Sequence, residues 1–122
     1  MRWKGSLNSV RTETSLNGQD AADGKKFVVV NITVTNTENY EYETGNFEFL
    51  CICGTDEGDE VETMNSFYDE MIPDEFNLKA GETVTGDLVF EVNEDVSEVL
   101  IDYEEFWSDG STGSTNWFDL VL

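Results

Sequence analysis

The sequence contains no histidine, the side chain on which most familiar nucleophilic catalysis depends. A catalytic serine or cysteine needs a base within hydrogen-bond reach, and in the usual triad that base is an imidazole. Paired carboxylates would suit a glycosidase, but among 27 acidic residues such pairs arise by chance. The glycines are dispersed and form no phosphate-binding loop. We therefore predict a non-enzymatic protein with no catalytic and no cofactor-binding residues; a carboxylate-dependent hydrolase is the alternative from the enzyme class.

Positive charge is also scarce. Six Lys and Arg residues oppose 27 Asp and Glu residues, which gives a formal net charge of −21. A chain of this charge repels polyanions at physiological salt, so we expect neither nucleic acid nor an anionic membrane surface as a partner. The acidic excess is interpreted as a solvated surface that keeps the domain soluble, with binding of a cation or a basic partner as the alternative.

Long apolar runs are missing as well. No stretch approaches the roughly 20 consecutive apolar residues that a membrane-spanning helix requires. We therefore expect no direct insertion of this domain into a membrane. The 122 residues fit one domain, because two separate cores in a chain of this length would each be marginal. Residues 1–122 are predicted to form a single domain.

Cysteine is limited to Cys51 and Cys53. In a strand, this spacing points both side chains to the same face, so a disulfide across a sandwich is excluded. A bridge between the two would strain the allowed Cα separation, and two reduced, buried thiols are expected instead. A tetrahedral zinc site would have to recruit carboxylates, because the chain offers no imidazole and only these two thiols.

The sequence is rich in a two-residue alternation of apolar and polar side chains, the pattern of half-buried strands. Its clearest instance is residues 27–35, in which Val28 and every second residue to Val34 share one face. Residues 83–92 repeat the pattern, and both stretches are predicted to line the core. Further strands are predicted at residues 7–14, 47–53, 99–103 and 117–122, with a short one around Val61.

About seven to eight short strands, without helices long enough for crossovers, predict an all-β fold. The expected architecture is an immunoglobulin-like antiparallel β-sandwich. Two connections lack a clear period. Residues 17–24 are interpreted as a loose loop, and residues 64–76 as a long loop or single helical turn that caps the edge of the sandwich.

Four segments, residues 26–37, 47–58, 78–92 and 118–120, resemble a known family. These are the small immunoglobulin-like domains of Gram-positive bacterial lipoproteins, often labelled telomeric repeat-binding factor 2-like. Ala80 and Asn93 depart from the family pattern, which has proline at both places. The resemblance implies a sandwich located outside the cytoplasmic membrane, with no catalytic residues to carry over.

Two acidic groups are candidate cation sites. Clustered carboxylates on a flexible turn are the hard oxygen ligands that Ca²⁺ prefers, although their spacing does not fit an EF-hand. The alternative is a solvated acidic hairpin. The first group comprises Asp56, Glu57, Asp59 and Glu60, and the second comprises Asp102, Glu104, Glu105 and Asp109.

Aromatic residues offer a third hypothesis, an exposed platform for sugar or peptide. Exposure and adjacency of Tyr42 and Trp107 would favour it, whereas their burial would favour ordinary packing. The candidates are Tyr40, Tyr42, Phe106, Trp107 and Trp117.

Together these observations predict a non-enzymatic interaction or structural module of a bacterial surface lipoprotein. Its location is expected to be extracytoplasmic, at the cell surface or secreted. The expected partner is a protein or glycan at the cell surface, held through sheet faces and loops. The alternative is an accessory domain that binds a cation or small ligand through the acidic loops.

Overall fold

Two antiparallel β-sheets form the protein, as the alternation of apolar and polar residues predicts. The computed structural model describes residues 3–46, 49–53, 59–106 and 112–122. This part of the chain contains no helix that is long and apolar enough to span a membrane. The strands are β1 (Trp3–Glu13), β2 (Ser15–Leu16), β3 (Gln19–Asp20), β4 (Lys25–Asn36), β5 (Tyr42–Thr44), β6 (Phe49–Cys53), β7 (Asp59–Glu62), β8 (Phe76–Leu78), β9 (Thr83–Asn93), β10 (Glu98–Phe106) and β11 (Thr112–Val121).

The long strands divide between a three-stranded and a four-stranded sheet. The first has the order β1-β4-β9 and the second the order β11-β10-β6-β7. Two short ribbons, β2-β3 and β5-β8, complete the described strands. The all-β antiparallel sandwich is thus confirmed, with seven strands in its two main sheets. The immunoglobulin-like connectivity stays a prediction.

The core lies between the two sheets, and β4 is its centre. Val28, Val30 and Ile32 are fully buried, as the alternation predicts. Burying each such side chain contributes about 1.5–3 kcal/mol. The core cluster draws on both sheets and contains Val34, Leu88, Phe90 and Val92 from the first sheet and Phe49, Cys51, Val99 and Ile101 from the second.

A second apolar cluster lies on the opposite side of the three-stranded sheet. Phe27, Val29 and Val89 point outward there and are nevertheless fully buried, packed with Met71. They are covered by residues 63–72, which we call the covering segment. Backbone hydrogen bonds hold this segment to β9, from Met64 N to Val89 O at 2.8 Å and from Ile72 N to Asp87 O at 2.9 Å. The region is a loop without a helical turn.

The predicted loose loop at residues 17–24 is wrong in its first half. Asn17 and Gly18 have φ values of 49° and 85° and form a tight turn between β2 and β3. An Asn-Gly pair is the residue pair that two-residue hairpins prefer, because both central positions need positive φ. The hairpin signal was therefore present in the sequence.

Both cysteines are free, in agreement with the predicted reduced thiols. Cys51 is buried in the core and Cys53 is half-buried. Burial, and then the neighbouring Cys53, raise the pKa of the Cys51 thiol above its ordinary value. The thiol therefore stays protonated and unreactive at neutral pH.

Candidate functional site

The outer surface of the three-stranded sheet is apolar and covered at one end but polar and open at the other. At the open end, residues on the three strands line up in rows fixed by the strand register. One row is Lys4, Thr35 and Thr83, and the next is Ser6, Thr33 and Thr85. We call this open surface the polar face, comprising Lys4, Ser6, Asn8, Asn31, Thr33, Thr35, Thr83 and Thr85.

Asn8 reaches the polar face because the register between β1 and β4 shifts between Leu7 and Ser9. This β-bulge turns Asn8 outward while Leu7 packs against the core. The Nδ2 group of Asn8 donates to Asn31 Oδ1 and to Thr33 Oγ1, both at 2.9 Å. One side chain of the edge strand therefore fixes two side chains of the central strand.

Threonine pairs continue this network across the sheet. The hydroxyl oxygens of Thr33 and Thr85 lie 2.9 Å apart, and those of Thr35 and Thr83 lie 2.7 Å apart. Thr33 also accepts from Asn8, and either hydroxyl of the Thr33–Thr85 pair can be the donor. In either direction one hydroxyl proton of the pair is not used between the two and is left for solvent or a ligand.

The network ends at Asp87, whose side chain is buried. Its Oδ1 accepts from Asn31 Nδ2 at 2.8 Å, and its Oδ2 accepts from the Tyr68 hydroxyl at 2.7 Å. Burial, and then the hydrogen bond to Asp87, raise the pKa of Tyr68 above its ordinary value. The phenol therefore remains a donor at neutral pH. Asp87 and Tyr68 mark the border between the polar face and the covering segment.

The polar face stands apart from the rest of the molecule in charge. Among its residues only Lys4 is charged, although the whole chain carries −21. Residues 1–12 hold three of the six cationic residues and none of the 27 acids. Arg11 lies one row beyond the face and pairs with Glu13 at 3.3 Å. Exposed carboxylates occupy other surfaces, for example Glu60 and Glu62 on β7.

The predicted acidic sites are only partly within the described residues. Asp56, Glu57 and Asp109 lie outside them, whereas Asp59 and Glu60 belong to β7, and Glu60 is exposed. The second group is placed on β10, where Asp102 is buried and Glu104 and Glu105 follow in the strand. Within the described part of the chain, no three side chains of the metal-binding types come together. Binding of Ca²⁺ stays a prediction.

The aromatic platform loses one of its members. Tyr42 is only 8% exposed, whereas Tyr40 is 50% exposed, and their rings meet edge-on at 6.3 Å. Tyr42 is buried because β5 pairs with β8 and turns it inward against Leu78. The burial of Tyr42 counts against the exposed platform and favours ordinary packing for this residue. Trp107 lies outside the described residues, and Phe106 and Trp117 are placed on β10 and β11.

A concavity lies at the other end of β4, and sequence reasoning missed it. It is an open cleft of about 440 Å³. Lys25, Glu91 and Glu98 line it with charges of both signs, and Cys53 lies at its wall. The polar face was also missed, although its signal was visible as the repeated Thr-x-Thr at residues 33–35 and 83–85.

Comparison with known proteins supports the fold and gives no activity. Residues 5–112 match the family model described as a domain of unknown function, DUF4352. No curated protein matches the sequence. Two solved structures are similar at identities that establish likeness of fold alone.

One is ycdA of Bacillus subtilis subsp. subtilis str. 168, a candidate lipoprotein. It has a TM-score of 0.72 and 16% identity over 98% of this chain. The chain spans 36% of that protein's length. The other is a functionally unknown protein from Listeria monocytogenes EGD-e, with a TM-score of 0.63 and 15% identity over 94% of this chain and 76% of that one.

Proposed function

The chain belongs to the DUF4352 family of domains of unknown function, and we propose that it is a non-enzymatic interaction module of a bacterial surface lipoprotein. In this proposal the domain acts outside the cytoplasm and holds a partner through the polar face. The likeness of its fold to ycdA supports the lipoprotein context. The resemblance of residues 26–37 and 78–92 to lipoprotein domains supports the same location.

The observation that carries the proposal is the exclusion of carboxylates from the polar face. None of its eight residues carries a carboxylate, and the acid that borders it, Asp87, is buried and accepts from two donors. A surface that served only solubility would have no reason to exclude the commonest charge of this chain. A surface that meets a partner would, because an unpaired carboxylate costs free energy when it loses water.

The chemistry of the face also fits binding better than catalysis. Its hydroxyl and amide groups are hydrogen-bonded to one another at 2.7–2.9 Å, and both carboxylate oxygens of Asp87 accept hydrogen bonds, from Asn31 and Tyr68. The face thus offers hydrogen bonds in fixed positions and no free general base. Such a pre-ordered surface loses little side-chain entropy when a partner binds.

The proposal can be tested with isolated cell envelopes of Bacillus subtilis. The variant Thr83→Asp/Thr85→Asp places two carboxylates on the face, and Asn65→Asp/Asn93→Asp adds the same charge at exposed positions elsewhere. We expect the wild type and the Asn variant to sediment with envelopes and the Thr variant to bind at least about tenfold more weakly. Equal binding of all three, or failure of the wild type to bind, would overturn the proposal. Circular dichroism checks that each variant is folded.

A further inference from the structure

We propose that the polar face binds an uncharged glycan, recognised by hydrogen bonds from threonine hydroxyls and asparagine amides. The inference rests on the proposed function, because it names the partner of the same face. It is carried by the charge, the size and the hydrogen-bond order of the face.

Charge is the first argument. The net charge of −21 repels an anionic polymer as it approaches, and one lysine on the face is too little to compensate. A cationic partner would be drawn to the acidic surfaces instead, because the face presents no carboxylate to it. An uncharged partner is the class that is neither repelled from the face nor attracted elsewhere.

Size is the second argument. Three strands make the face about 10 Å wide, and three rows of alternate residues make it about 13 Å long. A stable protein interface takes about 800 Å² from each partner, several times the area of this face. A globular protein or a second copy of the chain would therefore have to bury the neighbouring acidic loops as well. A narrow polymer needs only the face itself.

The order of the hydrogen bonds is the third argument. The two Nδ2 hydrogens of Asn8 are used by Asn31 and Thr33, so its Oδ1 is left as an acceptor at the surface. The Thr33–Thr85 pair keeps one hydroxyl proton as a donor, whichever of the two hydroxyls donates to the other. Donors and acceptors thus lie side by side at fixed spacing, and a sugar ring carries hydroxyl groups that can serve as both.

The border at Asp87 keeps this arrangement in place. Its two oxygens are held by Asn31 and Tyr68, and the covering segment that supplies Tyr68 is bonded to β9. The side chains are therefore positioned before a ligand arrives. The face contains no aromatic ring for a sugar to stack on, so we expect weak binding, with a Kd of about 1 mM for a short oligosaccharide. A long polymer should bind with higher avidity, because it can contact several domains at once.

The test is a titration of the isotope-labelled domain with neutral oligosaccharides, observed by two-dimensional NMR. The probes are the tetramer of N-acetylglucosamine and cellotetraose at about 10 mM, ten times the expected Kd. Polyglutamate and polylysine serve as the anionic and cationic controls. We expect saturable shifts confined to Asn8, Thr33, Thr35, Thr83 and Thr85 with at least one neutral probe. The shifts should be absent in Thr83→Asp/Thr85→Asp and kept in Asn65→Asp/Asn93→Asp.

Failure of this inference is distinguishable from failure of the proposed function. If envelopes bind the domain through the face but neither neutral probe shifts its residues, the glycan is wrong and the interaction module stands. Loss of envelope binding after protease treatment of the envelopes would point to a protein partner and also overturn the glycan. Shifts outside the face, or shifts shared by the Thr variant, would contradict it as well.

Discussion

The two ends of the outer surface of the three-stranded sheet are built on the same strands, but one end is buried and the other is exposed to solvent. At one end Phe27, Val29 and Val89 point outward and are fully buried beneath the covering segment. At the other end Thr33 and Thr85 point outward and remain in contact with solvent. Side-chain chemistry decides between them, because outward apolar groups must be covered, whereas threonine pairs satisfy one another in water.

The largest expected effect comes from removing an outward apolar side chain. Phe27→Ala should lower the free energy of unfolding by about 3–5 kcal/mol, because it opens a cavity beneath the covering segment. Thr35→Ala, on the same face of the same strand, should cost less than about 1 kcal/mol. Urea unfolding followed by circular dichroism measures both. Similar costs at the two positions would erase the distinction between the ends.

The next effect concerns the anchoring of the covering segment. A Cβ placed on Gly45 would overlap the backbone carbonyl of Asp74, and Asp74 holds the segment by accepting from Ser66 N at 2.6 Å and from Asn46 Nδ2 at 3.0 Å. Gly45→Ala should therefore destabilise the protein by about 1–3 kcal/mol.

Gly24→Ala is the control for this substitution. Gly24 has open space around it and a φ of 75°, so it tests backbone strain of about 1 kcal/mol alone. In thermal melts, Gly45→Ala should have a lower melting temperature than Gly24→Ala. The reverse order would mean that the close approach to Asp74 does not hold the segment.

An effect of similar size is expected at the border between the two ends. Tyr68→Phe leaves Oδ2 of the buried Asp87 without its donor and should cost about 1–3 kcal/mol. Tyr40→Phe removes a hydroxyl from an exposed ring and should change stability little. Equal denaturation midpoints for the two variants would show that the Tyr68 hydrogen bond does not contribute.

The smallest effect is a dependence on alkaline pH. The pKa of Tyr68 is raised in the folded protein, so between the unfolded value of about 10 and the folded value the native state binds more protons than the unfolded state. Stability from this group is present below pH 10 and declines as pH rises. Wild type should therefore lose stability above pH 10 more steeply than Tyr68→Phe, in denaturant titrations at matched ionic strength. If stability fell with pH equally in the wild type and in Tyr68→Phe, Tyr68 would not be the cause of the loss.

Much of the fold follows from local pattern. Val28 to Val34 and Leu88 to Val92 alternate with a period of two, and this period determines which face enters the core. The Asn17-Gly18 hairpin was also encoded locally. The burial of Phe27 and Val29 was not, because the segment that covers them lies some 40 residues away and sequence periodicity contains no information on such contacts.

The candidate site was hidden for a related reason. Each Thr-x-Thr is readable in the sequence, but only the register of β4 with β9 places Thr33 beside Thr85. The bulge that turns Asn8 outward and the burial of Asp87 depend likewise on pairing between distant strands. The net charge can be counted from the sequence, but the absence of acidic side chains from one face becomes visible only when the strands are paired.

The central claim is that the open end of the sheet, and not the acidic surfaces, meets the partner. Saturation transfer from unlabelled envelopes to a domain with methyl-labelled threonine tests it directly, because the face carries four threonine methyl groups. We predict transfer to Thr33, Thr35, Thr83 and Thr85, and none to Thr12 or Thr63. Transfer spread over all threonines, or confined to those off the face, would contradict the account.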